Sequence, residues 1–444
     1  MKLRVASQNI GTMNEKDMDV VQMMIKRRID VACVQETRWR GERAKELGEG
    51  YKIYYVGEKN GRNGVGVIVS NKFTDSVVEV KRSSSRLMKI KLVWNGILVK
   101  VVSAYAPQVK LSDEEKEKFW TEFDALVSEI SGKEKLVVGG DLNGHVGRKS
   151  DGFSTVHGGW GYGRRNKEGE TILGEAVAHG LVILNTLFKK KDGHLVTYES
   201  GDVKTQIDYI MTRTENKRNC VNCKVLPGEG EGQHKLVVAD LLWKVTPHTK
   251  RSTNVDAIKW SKLREKEKEL RESLVSRVDW RVEGNVEDMW GSVAGQVRKV
   301  CGEVLGVSKG GKTMISKETW WWEESVQSAL KEKKLAFKEW KTLRTEELLS
   351  IYKKAKKASR RAVAISKAKK YDEVYEKLGT REGEKGIYKL AKSRARSQRD
   401  VGDVKCVRDE NGEVLVKNEE VQDRWRRYFE TWALMEYQRK FGRL

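Results

Sequence analysis

Proline is nearly absent from this chain: three in 444 residues, at 107, 227 and 247, and none beyond. Nothing in the second half therefore bars long uninterrupted helices. Cysteine is scarce and odd in number, five residues at 33, 220, 223, 301 and 406, which argues against a disulfide framework and for a reducing, intracellular compartment. "CVNC" at 220–223 has the spacing of half a zinc site, but no second Cys or His pair answers it, so it reads as structural. No apolar run approaches the ~20 residues that span a bilayer, and "MKLRVASQNIG" lacks a signal-peptide core and reads directly as a strand. Acidic residues are in deficit, 64 against 87 Lys and Arg, a net charge of +23. That excess suggests a polyanionic partner, nucleic acid first. A membrane surface is the weaker second choice, because no basic amphipathic anchor stands out. Charge alone is poor evidence, because ribosomal, chromatin and merely soluble basic proteins share it.

What is present falls into two grammars. Up to about Leu242, short β-rich runs alternate with amphipathic stretches. "LRVASQN", "VACVQE", "GVGVIVS", "LMKIKLVW", "ILVKVVSAY", "KLVVGGDL", "TQIDYIM" and "HKLVVADLLW" read as strands. "DMDVVQMMIKRR", "DEEKEKFWTEFDALVSEI" and "EGETILGEAVAHG" read as helices, the second opened by a Ser112/Glu115 capping box. These patterns predict an α/β or α+β domain large enough for two stacked sheets. From about Ser252 the pattern turns helical and charged: residues 251–444 hold 46 Lys and Arg against 32 Asp and Glu. Long helices are expected over "WWWEESVQSALKEKKLAFKEW" and "EELLSIYKKAKKASRRAVAISKAKKYDEVYEKL", and a hairpin turning at Asn411-Gly412 in "VKCVRDENGEVLV". Residues 351–370 carry nine basic and no acidic residues, a solvated face, a nucleic-acid contact or a nuclear-import signal. No fixed-period repeat is present.

"LVVGGDLNGHVG", residues 136–147, ends an apolar strand on an aspartate and an asparagine two apart. Residues so spaced in an extended chain share a face, although Asp-x-Asn-Gly also forms Asx turns readily. Other predicted strands end in the same manner: Asn9, Glu36, Tyr105, Asp208 and His234 join Asp141 and Asn143 at termini of six segments. Each has a structural alternative; Glu36, for one, could pair with Arg38. Together they supply what phosphodiester hydrolysis needs: hard oxygen ligands for a divalent cation, a general base, and donors for charge growing on phosphate oxygens.

The order of "QNIG", "CVQET", "SAYAP", "GGDLNGHVG", "QIDYIM" and "QHKLVV" resembles the endonuclease/exonuclease/phosphatase superfamily. More narrowly, "GYGRRNKEGE", "LVILNTLFKKKDGHLVTYESGD" and "TWWWEESVQSALKEKK" are similar to the RTE/BovB clade of non-LTR retrotransposons and to craniofacial development protein 2-like proteins. The resemblance implies a deoxyribonuclease I-like four-layer α/β/β/α sandwich over residues 1–243, followed by a mainly α-helical basic spacer over 244–444. It also implies roles. Glu36 and Asn9 would hold Mg²⁺, with Mn²⁺ as a substitute. Asp141 would activate water, Asn143 would hold water and phosphate, and Tyr105 would donate to the phosphate. His234, kept in its working state by Asp208, would contact the scissile phosphate. Thr197 matches the family's threonine before an aromatic. Arg164 and Arg165 are candidate phosphate contacts, ordinary surface arginines being the alternative. Two positions depart from the family: Gln233 stands where an acid usually precedes the histidine, and Gly11 where many members carry another.

These readings lead to a Mg²⁺-dependent DNA endonuclease that nicks one strand, derived from a retrotransposon. DNA would be its partner, with RNA a second candidate for the basic half, and the nucleus, otherwise the cytoplasm, its compartment. No Y-x-D-D or F-x-D-D occurs, so copying RNA unaided is not expected. Two other classes remain open: a phosphatase of small phosphorylated ligands, and a non-catalytic chromatin- or RNA-binding protein.

Overall fold

A computed structural model describes residues 2–132, 134–228, 232–243, 257–263, 265–279, 286–308, 323–376, 407–415 and 418–441, with scattered residues in 380–401. The strands of the first half are β1 (Lys2–Asn9), β2 (Val31–Gln35), β3 (Gly41–Gly48), β4 (Tyr51–Gly57) and β5 (Val65–Val69). Then come β6 (Val77–Ser84), β7 (Leu87–Trp94), β8 (Ile97–Tyr105), β9 (Lys135–Asp141) and β10 (Leu181–Ile183). The last are β11 (Tyr198–Ser200), β12 (Val203–Thr205), β13 (Asp208–Arg213), β14 (Cys220–Leu226) and β15 (Leu236–Leu242). One sheet has the order β14-β15-β1-β2-β5-β4-β3, and the other β10-β13-β9-β8-β7-β6. Helices α1 (Asp17–Arg27), α2 (Asp113–Ser128) and α3 (Lys167–Ala178) accompany them. The Ser112 cap forms as the sequence predicts, its Oγ accepting from the Glu115 amide at 3.3 Å.

Alternation along each strand decides the layering. In β2, Val31 and Cys33 enter the core between the sheets, while Ala32 and Val34 face α1 beside Val20, Val21 and Met24. In β9, Val137 points inward, and Leu136 and Val138 pack under Phe119, Phe123, Ile172 and Leu173 of α2 and α3. The result is the expected four-layer α/β/β/α sandwich. Toward one end the inter-sheet core turns polar: the Gln35 amide reaches Ser103 Oγ at 3.3 Å, and Ser103 Oγ donates to the Val34 carbonyl at 3.2 Å. The two glycines of "VVGGD" keep β9 close to its neighbours, Gly139 to the opposite sheet and Gly140 to the adjacent strand β8. A Cβ on Gly139 would stand 3.0 Å from the Cys33 side chain in the opposite sheet, and one on Gly140 would stand 2.4 Å from the Ala104 carbonyl oxygen.

Cys220 and Cys223 lie buried on β14. The described residues group into two compact units. One comprises Met1–Thr246 and Ser316–Leu444, the other Pro247–Ile315. The second unit contains α4 (Glu267–Arg277) and α5 (Val286–Leu305), which bury Leu270, Val278, Val300 and Leu305. In the first unit, α6 (Glu324–Leu343) and α7 (Glu346–Glu376) are the two expected long helices, and α8 (Asn418–Phe441), which the sequence reading did not single out, follows the hairpin. The hairpin at Asn411-Gly412 is present, Arg408 pairing with Val414 across it; Val404, Lys405 and Cys406 at the start of that stretch, like Trp320–Trp322 ahead of α6, lie outside the described residues. No helix among the described residues is long and apolar enough to cross a membrane.

Candidate active site

Register brings the strand ends together. β1 and β2 run parallel with Asn9 opposite Gln35, and β8 and β9 run parallel with Tyr105 opposite Asp141. β13 is antiparallel to β9, so its first residue, Asp208, also sits opposite Asp141. β15 is antiparallel to β1, which places His234, just before it, beside the ends of the others. Glu36 follows β2 in a left-handed conformation (φ 53°). This backbone is uncommon for a residue with a side chain and is often kept where function demands it.

The side chains form one connected network. Asn9 Nδ2 donates to Glu36 Oε1 at 2.9 Å and to Asp141 Oδ2 at 3.0 Å. The Tyr105 hydroxyl donates to Glu36 Oε1 at 2.9 Å, and Arg38 Nη2 to Glu36 Oε2 at 2.7 Å. His234 sits between two carboxylates: Nδ1 is 3.0 Å from Asp208 Oδ2, and Nε2 is 3.8 Å from Asp141 Oδ2. Burial pushes the Asp141 carboxyl up, and the neighbouring Asp208 charge adds to it, reaching about 7. Burial pulls His234 down, but the charge and hydrogen bond of Asp208, with Asp141 and Glu36 behind, outweigh it and raise the imidazole to about 9. Burial also opposes ionisation of Glu36; hydrogen bonds from Asn9, Arg38 and Tyr105 overcome it and bring this carboxyl below its usual value. The site thus holds an anionic Glu36, a readily protonated imidazole, and a carboxylate poised near neutrality.

The remaining sequence candidates are placed differently. The Asn143 amide N–H donates to Asp141 Oδ1 at 3.2 Å, so an Asx turn and a site-facing Oδ2 coexist on one carboxylate. The Asn143 side chain donates to the Ala106 carbonyl at 2.9 Å, supporting the β8 exit. Thr197 is fully buried, and its Oγ1 accepts from the amides of Ile207 and Asp208 at 2.9 and 3.1 Å. It holds the backbone that presents Asp208 and does not face the cleft. Thr197→Val would orphan those two buried N–H groups and cost about 1–3 kcal/mol, measured by denaturant unfolding; unchanged stability would contradict this support role. Arg165 is committed to loop carbonyls, reaching Val146, Lys149, Ser150 and Asp151 oxygens at 2.9–3.2 Å. Arg164 is exposed and does not line the cleft. Gln233 lies on the rim, donating to Ser200 Oγ at 2.8 Å, and the Gly11 amide donates to Asn9 Oδ1 at 2.9 Å.

Three contributors were not singled out from the sequence. Asn185 accepts from the Ile210 amide and donates to the Asp208 carbonyl, both within 3.0 Å, which fixes the start of β13. Tyr198 packs edge-on against the His234 ring at 4.9 Å. Arg86 lies 5.1 Å over the Tyr105 ring. Asn185 is an isolated polar residue after a short apolar run, and nothing in its spacing marks it.

The network opens into a cleft of about 1160 Å³ lined by Asn9, Glu36, Tyr105 and His234 among others. Glu36 and the Asn9 amide oxygen offer hard donors beside open volume, a combination that fits an octahedral cation keeping several water ligands. Asp141, Asp208 and His234 form the one cluster of three ligand-type side chains among the described residues. There, however, each imidazole nitrogen faces a carboxylate, an arrangement suited to proton holding rather than to an oxygen-seeking ion.

Craniofacial development protein 2 of Bos taurus is 29% identical over 280 residues, covering 60% of this chain and 47% of that protein. The Tragulus javanicus protein of that name is 28% identical over 254 residues, covering 56% and 44%. The chain thus spans about half the length of the curated relatives it matches. Among solved structures, the endonuclease domain of TRAS1, a telomere-specific non-LTR retrotransposon, matches at 15% identity and a TM-score of 0.42, covering 55% of this chain and 99% of that one. A 3′-5′ exonuclease from Neisseria meningitidis matches at 16% and 0.42, covering 54% and 100%. The Endonuclease/Exonuclease/phosphatase family pattern matches residues 6–228, half of the chain and nearly all of the sandwich that carries these strand ends, and the chain belongs to that family.

Proposed function

We propose that this protein is a Mg²⁺-dependent endonuclease that nicks one strand of DNA, with its catalytic set in residues 1–243. The observation that carries this reading is the single network joining Glu36, Asn9, Asp141, His234 and Asp208, of which Glu36, Asn9 and His234 line an open cleft with the two aspartates buried behind them. Glu36 and Asn9 would hold the cation, whose chemistry is to neutralise phosphate charge and stabilise the departing oxygen. Asp141 accepts the proton of the attacking water; a carboxyl raised to about 7 is a competent base near neutral pH. The water oxygen bonds to phosphorus as the bond from phosphorus to the 3′ oxygen breaks. A 3′-hydroxyl, protonated from solvent, and a 5′-phosphate result. Protonated His234, oriented through Nδ1 by Asp208, meets the charge that grows on a non-bridging oxygen. Tyr105, whose one hydroxyl proton goes to Glu36 Oε1, would turn it to the phosphate once substrate displaces that bond.

The cleft is wider than the 300–1,000 Å³ typical of small-ligand pockets, which favours a polymer over a small phosphorylated ligand. The excess of basic charge favours DNA as that polymer, and the nucleus as the place to meet it. Supercoiled plasmid incubated with the purified full chain should relax to the nicked circle with Mg²⁺ or Mn²⁺ and remain intact with chelator. Plasmid that stays supercoiled with both ions, while a small phosphomonoester is hydrolysed, would transfer the assignment to a phosphatase.

A further inference from the structure

The cleft has a second wall that the sandwich does not supply. Trp340 and Arg344, at the carboxyl end of α6, line it opposite the strand ends. At Asn9, Ile10, Lys16 and Gly232 it meets an adjoining cavity of about 600 Å³, lined by Lys26, Lys334 and Lys338 together with Met23 and Phe337. Helix α6 is fixed in this position. Lys333 Nζ and Lys334 Nζ each lie 3.0 Å from an oxygen of Asp19 on α1, and Arg360 of α7 pairs with Glu15. Val326 and Leu330 bury against Met18.

The chemistry of this wall differs from that of the floor. The floor holds carboxylates and an imidazole, whereas the α6 side offers aromatic rings and cations. The Trp340 and Tyr352 rings are nearly parallel and stacked, 3° apart with centroids at 5.8 Å, and Phe337 packs against both. Arg344 occupies the left-handed position that ends α6 (φ 51°). Glycine is favoured there, and an arginine costs on the order of 1 kcal/mol of backbone strain. Stacking faces beside a track of cations are what a nucleic-acid strand needs when it is held without sequence readout.

We propose that α6 is a DNA-binding wall of this cleft: Trp340 stacks against a base, Arg344 meets a phosphate beside it, and Lys338 meets a phosphate where the strand passes into the adjoining cavity. The proposal rests on the nuclease reading for the identity of the polymer, and its test is separable from that reading. Binding of a fluorescein-labelled DNA oligonucleotide is measured by anisotropy in chelator, where no cleavage occurs. Hydrolysis of thymidine 5′-(p-nitrophenyl phosphate), a diester too small to reach α6, is followed in Mg²⁺. Trp340→Ala should weaken DNA binding about tenfold and Trp340→Phe much less, since stacking survives. Arg344→Gly should lower the slope of log affinity against log salt by about 1 without lowering the melting temperature, because glycine suits that backbone. Small-diester hydrolysis should be unchanged in all three. DNA binding equal to wild type in Trp340→Ala and Arg344→Gly would overturn the proposal, as would loss of small-diester hydrolysis in parallel with binding. If the wild type hydrolyses neither substrate while Trp340→Ala still loses affinity, the nuclease reading fails and the α6 wall stands.

Discussion

Asp141→Asn should lower the nicking rate at saturating DNA by about a hundredfold or more, leave DNA affinity within a few-fold of wild type, and not reduce stability. The three expectations have one physical source. Asp141 is almost fully buried, and burial together with Asp208 raises its carboxyl to about 7, so holding it ionised works against the fold. The amide removes that charge. It keeps an oxygen for the Asn143 N–H or for Asn9 Nδ2, and the donor left over costs about 1–3 kcal/mol. The relief of charge offsets this. An amide cannot accept a proton from water, so the rate falls whatever the stability does. Affinity rests on phosphate contacts spread over the surface and is insensitive to one buried group. Single-turnover nicking, anisotropy binding and thermal melting at pH 8 separate these quantities. A melting temperature and an affinity that fall together with the rate would make Asp141 a structural residue.

The fold was legible because the hydrophobic pattern of the sandwich is strict. β2, β5, β8, β9 and β15 are apolar on both faces, as strands covered on two sides must be. β3, "GERAKELG", has charges at half-exposed positions and is fixed by its pairing to β4, so its own residues do not announce a strand. The site was legible for a related reason. A polar residue at the end of a buried strand needs a partner: Asn9 finds Asp141 and Asp208 finds His234, because the ends of β1 and β9 and the starts of β13 and β15 lie on the same side. What the sequence could not show is how each side chain is turned. "DLNG" permits both a turn and a site, and Asp141 does both with different oxygens. Arg165 looks like a free cation in "GRRN", yet four carbonyl oxygens claim it. The docking of α6 on α1 depends on Lys333 meeting Asp19 across more than three hundred positions, which no local pattern encodes.

Glu36→Gln tests the cation assignment most directly, and its partner Arg38 supplies a control of opposite sign. Glu36 is the half-buried acid whose ionisation the site reinforces, through Asn9, Tyr105 and Arg38. Glutamine keeps the shape and one oxygen but withdraws the charge. At a few ångströms, one charge acting on a divalent ion in a partly wet cleft is worth on the order of a few kcal/mol. The Mg²⁺ concentration for half-maximal nicking should therefore rise by about a hundredfold. Arg38 works the other way: its guanidinium occupies Glu36 Oε2 at 2.7 Å and adds a positive charge beside the same carboxylate. Arg38→Ala frees that oxygen and removes a repulsion, so its half-point should fall below wild type. Burial hardly complicates the comparison, since the Arg38 side chain is 53% exposed. The measurement is a Mg²⁺ titration of nicking rate for the three proteins at fixed ionic strength, with nicking in Mn²⁺ as a check that each remains folded and competent. Half-points that move in opposite directions place the cation at Glu36. A half-point for Glu36→Gln that matches wild type, or that moves in the same direction as Arg38→Ala, would place the cation elsewhere, and the remaining oxygen-rich cluster among the described residues is Asp141 with Asp208 and His234.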